Sequence, residues 1–318
     1  MSLQRRAVID VGTNSVKLLV ADVAVHEVEP VLEESRQTRL GKGFYESQRL
    51  QPEAIAQTAR AVAAFANKAR KAGATSVRII ATSAVRDARN PGDLSAEIAE
   101  ATNLRLEIIS GEQEAEWTFR GATSNPRLAR EPLLLLDVGG GSTEFILGQG
   151  EQKRFRHSYP LGAVRLLEKF PHSDPPKPEE LATCREWLQK FFDSKVRPEL
   201  EPALQREVKI HTQHHEVRLV GTGGSATVLA RMENAMDDYD RERIEAARLS
   251  FKTVHGWAER LWSLPLAQRR EIQGLPKERA DVILTGALIY EAVMETLEFA
   301  ELRVSTRGLR FAAVMDGV

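Results

Sequence analysis

The sequence predicts an α/β fold made of two related halves, and three observations carry that expectation. At about 150 residues per domain, a chain of 318 residues makes two domains rather than one. The first hundred residues open with a hairpin pattern and then alternate strand with helix, which predicts layers with antiparallel strands first and parallel strands later. The third observation is a repeat. Asp10-Val-Gly-Thr-Asn-Ser15 recurs as Asp137-Val-Gly-Gly-Gly-Ser142, identical at four of six positions and flanked both times by apolar runs. A shared turn type explains the glycines but not the Asp before the turn and the Ser after it. Two homologous halves facing one cleft is the better reading.

Each element follows from its pattern. Residues 6–11 read as a buried strand, and 15–25 alternate as its hairpin partner, with Val16, Leu18 and Val20 on one face. A third strand is expected near 28–32. Residues 52–71 have helical spacing at Ile55, Ala59, Val62 and Ala66, with Pro52 as a first-turn proline. Strand 77–81, helix 93–101, strand 104–109 and helix 111–123 follow. Ser124-Asn125-Pro126 breaks the pattern and marks the boundary between domains 1–124 and 125–318, the terminal helix packing back on the first. In the second half, strands are expected at 133–138 and 143–147. A helix through Leu181, Trp187, Leu188 and Phe191 comes next, then a strand at 218–221 feeding a helix to about 231. Helices near 253–264 and 277–297, a strand at 302–305 and a terminal helix after Gly308 complete the chain.

Composition removes several classes of function. With 42% hydrophobic and 28% charged residues the chain buries a core and is not disordered. Lys and Arg number 44 against 45 Asp and Glu, so no overall charge draws it to nucleic acid. Cys184 is the only cysteine, which excludes an intrachain disulfide and a multi-cysteine zinc site. No secretory apolar region follows Arg5 and Arg6, and the apolar stretches 16–25 and 282–294 are short or interrupted by charge, so no membrane is expected and the compartment is cytoplasmic. His211, His214 and His215 lie in a polar stretch that reads as an exposed loop rather than a metal site.

Three glycine-containing turns each follow a strand: Gly12-Thr13-Asn14-Ser15, Gly139-Gly140-Gly141-Ser142 and Gly221-Thr-Gly223-Gly224-Ser225. Successive glycines let several backbone N–H groups point at one anion, and the hydroxyls add donors. The third turn opens a helix, whose dipole also favours an anion. Asp10 and Asp137 end very apolar strands, where a carboxylate costs several kcal/mol unless paired or bound to a cation. Glu144, seven residues after Asp137, can approach it across the hairpin. Two hard oxygen ligands suit Mg²⁺, which fills its shell with water and phosphate oxygens; the alternative is that Asp137 caps its own turn.

Ser110-Gly-Glu-Gln113 has the form of a capping box, so Glu112 and Glu114 stand at the start of the 111–123 helix. Acids there are ordinary complements of the helix dipole. The functional alternative is that Glu114 faces the cleft and orients or deprotonates an attacking water. Arg86, Arg165, Arg307 and Arg310 follow strand ends or glycines, where guanidinium groups bind phosphate oxygens in pairs.

With these residues in place, the chain resembles the exopolyphosphatase/guanosine pentaphosphate phosphohydrolase (Ppx/GppA) family of the actin/sugar-kinase/Hsp70 superfamily. The carriers are Ile9-Asp-Val-Gly-Thr-Asn-Ser15, Ala81-Thr-Ser-Ala-Val-Arg-Asp87, Ile109-Ser-Gly-Glu-Gln-Glu-Ala115 and Leu136-Asp-Val-Gly-Gly-Gly-Ser-Thr-Glu144. Tyr159-Pro-Leu-Gly-Ala-Val-Arg165, Val220-Gly-Thr-Gly-Gly-Ser-Ala226, Glu278-Arg-Ala-Asp281 and Ser305-Thr-Arg-Gly-Leu-Arg310 continue the set. The resemblance implies two ribonuclease-H-like (actin-like ATPase) domains flanking a central cleft and Mg²⁺-dependent hydrolysis of a terminal phosphoanhydride, with Mn²⁺ as the other metal. It carries the catalytic role to Glu114, the metal role to Asp137 and Glu144, with Asp10 the acid of the first turn, and a phosphate contact to Arg86. The family's paired glutamates are here Gln113 and Glu114. The implied substrate is inorganic polyphosphate. Alternatives are pppGpp, an ATP-using kinase or ATPase of the same superfamily, or a binding module without turnover; the implied assembly is a monomer or a homodimer.

Overall fold

Near-continuous apolar sequence in the first two strands lets both faces of the first sheet be buried, and the structure uses both. The computed structural model describes residues 3–24, 27–210 and 217–316, without the side chains of 208–210; His211, His214 and His215 lie outside the described residues. The chain divides into two compact units. One runs to Asn125 and includes the segment from Arg307, and the other is Pro126–Thr306.

The first unit contains β1 (Gln4–Val11), β2 (Ser15–Val23), β3 (Val28–Gln37), β4 (Ser76–Ala81) and β5 (Leu106–Ile108), in the order β3-β2-β1-β4-β5. β1, β2 and β3 are antiparallel neighbours, whereas β4 and β5 run parallel to β1. Alternate residues go to opposite cores, as the pleat requires. Ala7, Ile9 and Val11 meet the helices Pro52–Lys71 and Pro91–Thr102 through Ile55, Val62, Leu94 and Ile98. Val8, Leu19 and Ile80 meet Trp117 of the Gly111–Thr123 helix and Leu309 and Phe311 of the Leu309–Met315 helix.

Those last two helices touch at glycines. A Cβ on Gly121 would lie 2.0 Å from the carbonyl oxygen of Gly308, so any side chain at 121 pushes the segments apart. Asp316 then latches the terminal helix, accepting from Trp117 Nε1 at 2.6 Å and from both Arg120 Nη atoms at 2.9 and 2.7 Å. Burial pushes the Asp316 carboxyl up, but the Arg120 and Trp117 hydrogen bonds outweigh it and hold the group below the usual range. A depressed native value means stability that is present above the unfolded value, about 3.9, and lost as pH falls through the native one. Asp316→Asn is therefore expected to cost about 0.5–1 kcal/mol near neutrality, small because the pair is partly solvated, with the difference closing in acid. Urea midpoints of both proteins between pH 3 and 7 check this; a difference independent of pH would contradict it.

The second unit repeats the plan. Its strands are β6 (Leu133–Val138), β7 (Thr143–Gln149), β8 (Gln152–Tyr159), β9 (Arg218–Thr222), β10 (Arg248–Ser250) and β11 (Glu301–Val304), in the order β10-β11-β9-β6-β7-β8. Again three antiparallel strands are followed by two that run parallel, and β10 is added at the edge. One face buries Leu134, Leu136, Phe145 and Leu147 under helices Pro178–Phe191, Gly223–Glu233, Phe251–Ser263 and Ile283–Thr296. Two related α/β sheets are what the repeated motif predicts.

Some expectations shift. The pattern over 277–297 is not one helix. A 3-10 turn at Lys277–Arg279 is followed by a separate helix from Ile283, and the break turns Arg279 out of the apolar run. β8 is not among the expected strands because its sequence, QKRFRHSY, is polar or charged at every exposed position, as suits a sheet edge. The Arg197–Ile210 helix also went unread, since Pro202 stands inside it. Among the described residues no helix is long and apolar enough to cross a membrane.

Candidate active site

In the first unit the β1–β2 hairpin closes with Gly12 N donating to the Ser15 carbonyl at 3.1 Å. The 12–15 turn is held from behind, because the Thr13 carbonyl accepts from Gly41 N at 2.7 Å and that of Asn14 from Thr38 N and Arg39 N at 3.1 and 3.0 Å. A trans peptide points its N–H opposite to its C=O, so the amides of Asn14 and Ser15 face away from these anchors. Thr13 and Ser15 are buried, and the Asn14 side-chain oxygen accepts from Gln37 Nε2 at 3.2 Å.

Asp10 sits two residues before this turn, 7% exposed, with Oδ1 buried and without a hydrogen-bond partner. Burial pushes its carboxyl above the ordinary range, while Lys17 and Arg310 pull it back. Lys17 stands directly opposite Asp10 in the β1–β2 register. Arg310 has its own ties, to the Leu18 carbonyl at 2.7 Å and Glu33 at 3.3 Å, and Arg307 donates to Ser124 Oγ at 3.3 Å.

Glu114 enters from the Gly111–Thr123 helix, which Ser110 caps by accepting from Gln113 N at 3.1 Å. The helix starts beside the strand ends, since Ile109 N donates to the Ala81 carbonyl at the end of β4. Glu114 is 8% exposed, and Arg86 Nη1 donates to its Oε2 at 2.8 Å and to the Ile109 carbonyl at 3.2 Å. The acid of the dipole alternative would be solvated; this one is buried and held. Arg86, expected to contact phosphate, donates to the Glu114 carboxylate here.

In the second unit Asp137 and Glu144 face each other directly in the β6–β7 register. Opposite residues share one face of a sheet with Cβ atoms about 5 Å apart, so the hairpin sets the two acidic side chains side by side. Glu144 is 1% exposed, and Ser158 Oγ donates to its Oε1 at 2.7 Å. Between the two acids lies the 139–142 turn. The Gly139 carbonyl accepts from Ala163 N at 2.9 Å, that of Gly140 from Val164 N and Arg165 N at 2.9 and 3.0 Å, and that of Gly141 from Arg165 Nε at 2.7 Å. By the same trans geometry the amides of Gly140, Gly141 and Ser142 point the other way, together.

The third turn meets the same place in this unit. Thr222 pairs with Asp137, and a Cβ on Gly223 would stand 2.2 Å from Asp137 Oδ1, at φ +78°. Asp137 thus rests on the start of the Gly223–Glu233 helix, where the dipole favours a carboxylate. Burial and then the Asp137 charge hold the Tyr290 phenol well above its ordinary range, so it stays protonated and donates to the Thr222 carbonyl at 3.3 Å. Ser225, expected to reach phosphate, is turned inward and donates to the Val138 carbonyl at 3.4 Å.

Two residues beside these turns, one in each unit, are not among the candidates that the sequence offers. Arg279 packs its guanidinium on Gly224, where a Cβ would meet Nη1 at 2.2 Å; its motif is visible in the sequence, but its direction comes only from the break before Ile283. Lys17 was readable in principle. Laid on each other, the repeats set Lys17 against Glu144, so the first hairpin pairs an acid with a cation and the second pairs an acid with an acid. No cluster of three or more His, Cys, Asp or Glu able to hold a metal occurs among the described residues. The Asp137–Glu144 pair is a set of two hard oxygen donors, the kind that suits a cation which takes one or two carboxylates and completes its shell with water and phosphate oxygens.

The sequence profile of the Ppx/GppA phosphatase family matches residues 19–316. Exopolyphosphatase 2 of Mycobacterium tuberculosis is 37% identical over 306 residues, covering 93% of this chain and 92% of that protein. Exopolyphosphatase 1 of Mycobacterium leprae is 28% identical over 315 residues, 98% of this chain and 88% of its own. Among solved structures, the Aquifex aeolicus PPX-GPPA enzyme superimposes with a TM-score of 0.76 at 29% identity, covering 99% of this chain and all of that one. An exopolyphosphatase from Cytophaga hutchinsonii gives a TM-score of 0.84 at 26% identity, covering 99% of each.

Proposed function

The chain belongs to the Ppx/GppA phosphatase family, and from that premise we propose how its residues act on their substrate. It is a phosphoanhydride hydrolase, an exopolyphosphatase that releases orthophosphate from the end of inorganic polyphosphate. The observation that carries the reading is the 139–142 turn, whose carbonyls are anchored from one side and whose amides therefore face the other, between the register-paired acids Asp137 and Glu144. Two carboxylates beside an anion cradle repel the anion unless a cation joins them. With Mg²⁺ or Mn²⁺ present the same groups attract it.

Asp137 and Glu144 would hold that ion, with Asp10 a further acid toward it, and when bound it would neutralise charge on the phosphate oxygens. The chain's own groups do the rest. Amides of the 139–142 and 12–15 turns bind phosphate oxygens and fix the end of the substrate. Glu114 accepts a hydrogen bond from water and takes its proton as the oxygen attacks phosphorus in line with the leaving oxygen. Arg86 holds Glu114 in direction throughout. Phosphoryl transfer asks mainly for positioning and charge neutralisation, which these groups supply. We infer a cytoplasmic compartment, with which the free, buried thiol of Cys184 is compatible.

Orthophosphate release from long polyphosphate, tripolyphosphate, pppGpp and ATP, each with Mg²⁺ or EDTA, tests the reading. Release from polyphosphate that EDTA abolishes is expected. Release from pppGpp alone would move the substrate to the nucleotide, ADP formation would point to an ATPase, and tight binding without release would leave only a binding module.

A further inference from the structure

The 139–142 turn owes its orientation to groups packed behind it, and one of them is a side chain. Gly139, Gly140 and Gly141 make the most permissive backbone a chain can carry, so a single conformation must be imposed from outside. The 12–15 turn, which carries Thr13 and Asn14 in the matching places, has its carbonyls taken by the backbone amides of Thr38, Arg39 and Gly41. In the second unit the backbone donors stop one residue short. Ala163, Val164 and Arg165 amides reach Gly139 and Gly140, and the carbonyl of Gly141 is reached by Arg165 Nε at 2.7 Å. Gly162 allows this close approach, since a Cβ there would stand 2.5 Å from the Gly140 carbonyl. The peptide that Arg165 grips is the one whose N–H belongs to Ser142, the donor at the mouth of the hairpin.

We propose that Arg165 is a positioning residue for hydrolysis: it locks the Gly141–Ser142 peptide so that the Ser142 amide, with those of Gly140 and Gly141, faces the substrate's terminal phosphate. The sequence suggested a direct phosphate contact for this arginine; its grip on a carbonyl gives it an indirect one. The inference rests on the reading of this turn as a phosphate cradle.

The test uses the Glu114→Gln protein, made to bind without turnover, titrated calorimetrically with tripolyphosphate and Mg²⁺, alone and combined with Arg165→Met, Arg165→Gln or Arg165→Lys. Met offers no donor, Gln is too short to reach Gly141, and Lys can restore one hydrogen bond. Loss of a charged donor is expected to weaken binding about 10- to 100-fold for Met and Gln, with Lys recovering part of it and Tm nearly unchanged. In the otherwise native enzyme the same changes are expected to raise KM more than they lower kcat. If Met or Gln folds and binds tripolyphosphate as tightly as the Glu114→Gln parent, the proposal is overturned. Lower Tm with unchanged KM would also overturn it, by reducing Arg165 to a structural role. If the parent itself fails to bind tripolyphosphate, the cradle reading falls and takes this inference with it.

Discussion

Glu114→Gln is expected to lower kcat for orthophosphate release by about 10²–10⁴-fold, the usual contribution of a positioned general base. Gln keeps the length and shape of the side chain and still accepts from Arg86, so the Gly111–Thr123 helix and its Ser110 cap are left intact. What it loses is the capacity to take a proton from water. KM is expected to change little, because the phosphate-binding amides belong to other segments. Arg86→Met should lower kcat less than Glu114→Gln, since it releases the carboxylate from its 2.8 Å tether without removing it. Steady-state phosphate release, with thermal melts as the folding control, measures all of this. Near-native turnover by a folded Glu114→Gln protein would remove Glu114 from the mechanism.

The second large effect has opposite signs in stability and activity. Asp10 carries a buried oxygen without a partner, and desolvation outweighs the pull of Lys17 and Arg310, so its native value lies above the unfolded one. An acid raised in this way favours the native state below the unfolded value, about 3.9. That advantage is lost as pH rises through the raised value, so near neutrality the carboxylate burdens the fold. Asp10→Asn should therefore stabilise the protein at pH 7 by about 1–3 kcal/mol, seen as a rise of a few degrees in Tm, while phosphate release falls by about two orders of magnitude. The gain should shrink as the native protein is acidified and its own Asp10 takes a proton. An unchanged or lower Tm together with lost activity would show that Asp10 is satisfied in the fold. Higher Tm with full activity would show that its cost serves no function here.

Buried carboxylates of this kind are the clearest thing that the sequence shows. An Asp at the end of an apolar strand, before a glycine turn, conflicts with its surroundings, and a conflict that occurs twice in related contexts marks a site. The same local logic gives the elements. Period-2 and period-3.6 patterns locate the hairpins, the 52–71 helix and the 111–123 helix, because their apolar faces are set by short-range spacing. The hairpin register follows as well: strands joined by a tight turn pair by counting outward from it, so Asp137 meets Glu144. Where the pattern was masked by charge or by proline, as in β8 and the Arg197–Ile210 helix, local reading missed the element.

The directions of individual side chains were not legible in this way. Arg86, Arg165, Arg307 and Arg310 look alike in sequence, each an arginine near a strand end, yet they bind Glu114, the Gly141 carbonyl, Ser124 and the Leu18 carbonyl respectively. Ser225 follows two glycines as a phosphate donor would, and packing against Val138 and Gly286 turns it inward. The sequence by itself determined the repeated hairpins and the acids and glycines at their tips, because these depend on neighbours a few residues apart. Only the tertiary structure decided which arginine contacts the acid and which the loop. A long, flexible cation finds its partner among groups brought together from distant parts of the chain, and the free energy of that choice is written in the packing rather than in the spacing.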